Sequence, residues 1–151
     1  NSARSRNLSG FEVYYITENV SDSSRAINAA QNYKLDIDKS SFGRNSLNLK
    51  AVLWDMLNTQ SRADSIALAQ NICQAASQDM GLKILGVKGA RFYVLKGACI
   101  PAVLVEIGFV SNLQEEKYLR NGFYRQQIAE AIFDGTLNYS KKCELAAYGT
   151  H

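Results

Sequence analysis

Residues 102–107 (AVLVEI) are apolar except for one carboxylate, and this run constrains the fold more than any other stretch of the chain. Aliphatic residues in unbroken series, opened by Pro101 where a missing ladder donor is tolerated, read as a central strand covered on both faces. Glu106 is the anomaly, because a buried carboxylate is costly unless charge or hydrogen bonds offset it. Open α/β sheets place ligands beyond the carboxyl ends of their strands, and Glu106 stands at such an end. Spacing alone leaves two readings open: a functional carboxylate, or a structural one that accepts backbone N–H groups at the start of the next helix.

The rest of the chain supplies the partners such a strand needs. Residues 11–16 (FEVYYI), after Gly10, are aromatic and β-branched and predict a second strand, and 91–95 (RFYVL) predict a third. Leu49, Val52, Leu53, Met56 and Leu57 recur at three- and four-residue steps, which predicts a helix over 46–58 that buries one stripe. A second helix is expected from Ser61, which has capping-box spacing with Asp64, through Ile66, Ala69, Ile72, Cys73 and Ala76 to Gly81. Ser111 and Gln114 have the same spacing ahead of a short helix over 113–119, and a longer one follows over 123–137 with Ile128, Ala131 and Ile132 inward. Residues 17–45 are polar, with one expected helix over 25–33, and read as loop or insertion. Strands alternating with helices in this way indicate an α/β fold with a mostly parallel sheet.

Composition excludes several classes of function. The chain has 151 residues, 46% hydrophobic and 21% charged, with one proline, which suits a packed domain and not a disordered or fibrous chain. No stretch reaches the roughly 18 apolar residues that cross a bilayer. The net charge of +3 is small, and Arg4, Arg6, Lys141 and Lys142 are scattered, so no nucleic-acid partner is expected. Cys73, Cys99 and Cys143 lack CxxC spacing, and free thiols are expected. The chain begins with Asn1 and enters a strand within about ten residues, as a cut chain does.

VEIGFVSN (105–112), preceded by GVKGARFYVLKGACIPAVL (86–104) and by GFEVYY (10–15), resembles the second half of the zinc-dependent N-acetylmuramoyl-L-alanine amidase family. The resemblance runs from Asn1 to Tyr139, and the order of segments agrees with it. It implies an α/β domain with a twisted, mainly parallel sheet flanked by helices, truncated on its N-terminal side and leaving a raw sheet edge. Residues 1–140 would be the C-terminal part of the catalytic domain, with 17–45 an insertion of possible regulatory use and 141–151 a tail. The implied reaction is cleavage of the peptidoglycan amide between N-acetylmuramic acid and the L-alanine of the stem peptide. Zinc would activate the water, and Glu106, the Glu of the EIGF motif, would be the catalytic acid and base.

In the family the zinc is held by two His and one Glu of the first half of the domain, the second His lying just ahead of an Ala-Asn or Ala-Asp pair. Asn1 matches that Asn, so all three ligands are expected upstream of Asn1. The only His here is His151, read as a tail residue, whereas a catalytic zinc takes about three protein ligands. This chain alone is therefore expected to hold no zinc and to be inactive. Lys88 and Asn112 are weaker site candidates, each with an ordinary structural reading beside it. The resemblance further implies a cell-envelope location and an activator or divisome partner. The competing reading is a partial domain that binds peptidoglycan or a divisome protein without cutting; an unrelated α/β domain with a structural Glu106 is the third.

Overall fold

In the computed structural model, which describes residues 1–17 and 46–149, FEVYYI forms the expected strand, β1 (Phe11–Ile16). β1 is the middle of a three-stranded sheet, flanked by β2 (Ile84–Ala90) and β3 (Val103–Glu106). It pairs with β2 in parallel and with β3 antiparallel, so the part of the sheet supplied here is mixed. β3, expected to be central, lies at an edge of this sheet, and all four of its residues are partly exposed. Val103 and Val105 pack against the core while Leu104 and Glu106 take the opposite face. The strand enclosed on both sides is β1, where Phe11 and Val13 are almost fully buried.

The strand expected over 91–95 is instead a short 3-10 turn, Tyr93–Leu95, and the second strand of the sheet is the glycine-containing ILGVKGA. Glycine weakens a strand in isolation, yet here each glycine has a geometric task. Phe11 is opposite Ile84 and Glu12 is opposite Gly86, so Leu85 is skipped and β2 carries a bulge. Gly86 adopts φ +115° at that irregularity, a conformation side chains rarely take. A side chain at Gly89 would collide with Thr17.

The helices expected over 46–58 and from Ser61 are one continuous helix, α1 (Ser46–Met80). Ser61 is therefore not a cap. Its hydroxyl donates to Cys99 O (3.1 Å), and one turn on, the buried Ser65 hydroxyl donates to Ser61 O (2.6 Å) and accepts from Ala102 N (3.0 Å). These hydroxyls hold the loop that leads into β3. Gly81, at φ +63°, ends the helix, with its N–H donating to Ser77 O (2.9 Å). Ala69, Ile72, Cys73 and Ala76 form the buried stripe that meets Phe11 and Val13. Burial pushes the Cys73 thiol up to about 11, which leaves it a protonated packing group. The first half of α1 is helical as expected, but Val52, Met56 and Leu57 are exposed, because the core lies only under its second half. The side chain of Leu49, the helix expected over 25–33, the insertion from Glu18 on and His151 lie outside the described residues.

Two further helices, α2 (Leu113–Arg120) and α3 (Gly122–Tyr148), follow β3. The cap of α2 falls one residue later than expected: Asn112 Oδ1 accepts from Gln114 N (3.0 Å) and Glu115 N (3.2 Å). Ser111 Oγ is left to accept from Ala3 N (3.0 Å). Glu115 joins α2 to the sheet, its carboxylate accepting from Gly10 N (2.9 Å) and Phe109 N (2.7 Å). α3 continues to Tyr148, through residues expected as a tail, and packs on α1.

The crossing of α1 and α3 depends on Gly135. A Cβ there would lie 2.5 Å from Ile72 Cα and 2.8 Å from Asn71 O, so only hydrogen lets the two backbones approach this closely. Helix propensity alone predicts that Gly135→Ala stabilises by about 1 kcal/mol. The packing predicts the opposite sign, a loss of about 1–3 kcal/mol, read as a lowered Tm. Glu115→Gln exchanges one acceptor for a donor that faces a backbone N–H, and is expected to lower stability by about 1–3 kcal/mol in denaturant unfolding.

Candidate active site

Glu106 ends β3 directly opposite Glu12 near the start of β1, and directly opposed residues point to the same face. Two carboxylates meeting across a ladder repel one another unless a cation joins them. β2 supplies that cation. Beyond the bulge, Lys88 is opposite Tyr14; without the skipped residue it would be opposite Tyr15 and on the core face. The irregularity thus delivers Lys88 to the face that carries Glu12, Tyr14 and Glu106.

Glu12 is only 3% exposed and is fully engaged. Its Oε1 accepts from Asn1 Nδ2 and from the Tyr14 hydroxyl, both at 2.9 Å, and its Oε2 pairs with Lys88 Nζ at 2.5 Å. Burial, the hydrogen bond to Glu12, and the charges of Glu12 and Glu106 together push the Tyr14 hydroxyl up to about 12, so it stays a donor at any working pH. Lys88 Nζ also lies 5.9 Å from the centroid of the Tyr14 ring, which in turn meets Phe92 edge-on at 4.9 Å.

Glu106 is more open, with 22% of its side chain exposed. Its Oε2 lies 3.2 Å from the terminal ammonium of Asn1. That nitrogen also donates to Gly108 O (3.0 Å), and Val110 N donates to Asn1 O (2.9 Å). The two bonds bracket Phe109 in the pattern of a parallel ladder, so Asn1 lies beside the chain that leaves β3.

Of the residues singled out from sequence, Glu106 and Lys88 both neighbour Glu12, Glu106 as its partner across the ladder and Lys88 through an ion pair. Asn112 does not join them, since its side chain is committed to the cap of α2. Glu12, Tyr14 and the side chain of Asn1 were not singled out; the signal available for Glu12 was the same as for Glu106, a carboxylate inside an apolar strand. Among the described residues no three of His, Cys, Asp or Glu gather as a metal site, so the side chains seen here do not form a ligand set for the zinc that the resemblance implies.

The family model described as N-acetylmuramoyl-L-alanine amidase matches residues 1–138. The chain is 33% identical over 115 residues to the N-acetylmuramoyl-L-alanine amidase LytC of Bacillus subtilis, covering 76% of this chain and 23% of LytC. It is 35% identical over 91 residues to the amidase AmiA of Escherichia coli, covering 60% of this chain and 32% of AmiA. These matches span at most 32% of the length of either relative. Among solved structures, the amidase AmiC2 of Nostoc punctiforme superposes with a TM-score of 0.58 at 25% identity, over 93% of this chain and 54% of that one. The CwlD amidase of Clostridioides difficile, solved with the GerS lipoprotein, shares the fold with a TM-score of 0.62 at 22% identity, over 93% of this chain and 51% of CwlD. On the match over residues 1–138, the chain belongs to the N-acetylmuramoyl-L-alanine amidase family.

Proposed function

We propose that this chain is the Glu106-bearing part of a peptidoglycan hydrolase that cleaves the amide between N-acetylmuramic acid and the L-alanine of the stem peptide, with Glu106 as general acid and base. The observation that carries this reading is that the structural duty open to Glu106 is performed by others. Asn112 caps the helix that follows, and Glu115 takes the amides of Gly10 and Phe109, while Glu106 stands partly open at the end of its strand. A carboxylate so placed takes a proton from water as the oxygen adds to the amide carbonyl, and returns it to nitrogen as the carbon–nitrogen bond breaks. The products are a lactyl carboxylate and the free amine of L-alanine.

The zinc that the family resemblance implies belongs, in this reading, to residues outside this chain. The placement of Asn1 supports that division, because a parallel ladder with Phe109 directs whatever precedes Asn1 along β3 toward Glu106. Residues 1–151 alone would then be inactive. The partner is peptidoglycan, the location is the cell envelope, and the polar insertion over 17–45 is a candidate for regulation by an activator or divisome protein. No described helix is long and apolar enough to cross a membrane.

The test is Glu106→Gln in the complete enzyme, with release of N-terminal L-alanine from purified peptidoglycan as the activity and zinc per chain by elemental analysis as the control. Loss of about 100- to 10,000-fold in kcat with the metal content unchanged is expected of a general acid and base. Hydrolysis within a few-fold of wild type would remove Glu106 from the mechanism. Residues 1–151 by themselves are expected to bind no zinc and to release no L-alanine.

A further inference from the structure

Resting on that reading of Glu106, we infer that Lys88 is a specificity-determining residue, whose ammonium takes a free carboxylate of the stem peptide close to the amide that is cut. The pair of Glu12 and Lys88 is lopsided in a way that neutralising a buried charge does not require. Glu12 is 3% exposed, whereas 44% of the Lys88 side chain faces solvent. Both oxygens of Glu12 are occupied, Oε1 by the Tyr14 hydroxyl and the side-chain amide of Asn1, and Oε2 by Lys88. An ammonium carries three N–H donors, and this contact uses one of them. Glu12 is thus a buried anchor that holds an outward-facing cation in place.

The position of this cation points to its ligand. The bulge in β2 puts Lys88 on the face of the sheet that carries Glu106, and Glu106 is directly opposite Glu12. Directly opposed residues have Cβ atoms about 5 Å apart, and the ammonium lies one ion pair beyond Glu12. An extended chain advances about 3.5 Å per residue, so this ammonium is within reach of the first residues beyond a bond cut at Glu106. That bond joins two arms of different charge. The N-acetylmuramoyl arm has no ionised group beside it, whereas the stem peptide carries carboxylates, the groups that an ammonium binds by charge-assisted hydrogen bonds. The Tyr14 ring, whose centroid is 5.9 Å from Nζ, adds a cation–π contact that keeps the ammonium beside Glu12.

The experiment uses the complete enzyme and two forms of one purified peptidoglycan whose stem carboxylates are free: the native form, and the same material with those carboxylates converted to amides by carbodiimide and ammonia. The readout is the initial rate at which N-terminal L-alanine appears below saturation, taken as the ratio of native to amidated substrate. Wild type is expected to cut the native form about fivefold faster, the size of a half-exposed ion pair. Lys88→Met is expected to bring the ratio to about one, and Lys88→Arg to keep it. If Lys88→Met leaves Glu12 unpaired and does not fold, Glu12→Gln combined with Lys88→Met removes both charges and carries the same test, with a ratio of about one again expected. A wild-type ratio of about one or below overturns the inference without any variant, and so does a preference that persists after Lys88 is replaced by Met. Neither outcome touches the role of Glu106, which stands or falls with the activity of Glu106→Gln on the native form.

Discussion

Glu12 is an ion almost without solvent, and such an ion is tolerated only where donors are brought to it and its charge is matched. Here the donors come from the N-terminal segment, from β1 itself and from β2, so one buried carboxylate ties three stretches of chain to a single point. The opposite face of β1 works by different physics. Phe11 and Val13 press on the stripe of Ala69, Ile72, Cys73 and Ala76 along α1, and Gly135 lets α3 close on the same helix. The strand is thus apolar on one side and ionic on the other, and it can be so because the side chains of a strand alternate between faces.

Much of this was legible in the sequence, and the exceptions have identifiable causes. Strand β1 has the bounds its residues predict, and the carboxylate of Glu106 stands at the end of β3 as the apolar run indicates. β2 was not legible, because Gly86 and Gly89 look like strand breakers until one knows that a bulge and a close approach to Thr17 require them. RFYVL looks like a strand because a 3-10 turn with Leu95 buried and Tyr93 and Val94 outward has the same composition. The capping-box spacings of Ser61 and Ser111 were genuine polar signals attached to the wrong duty: both hydroxyls bind loop or terminal backbone rather than helix starts. Glu12 carries the same local signal as Glu106, a carboxylate inside an apolar strand, but the pairing that makes the two neighbours is not written in local spacing.

The aligned regions cover about half of the solved relatives, and the three strands described here leave both β2 and β3 with an unpaired side. β3 has the composition of an interior strand and the partial exposure of an edge strand. Asn1 already occupies the continuation of that edge, bonded on either side of Phe109.

The bulge in β2 has a consequence for how this segment can change in length. Ile84 and Val87 both face the core, an odd interval that no regular strand permits, and Leu85 is the residue that makes it odd. Between Gly81, where α1 stops, and Lys88, the chain therefore keeps a count: removing or adding one residue exchanges the faces of everything after it, trading an ammonium for a valine. The ionic side of the sheet is thus encoded partly by arithmetic along the backbone, and a change of one residue in length would cost Lys88 its place beside Glu12.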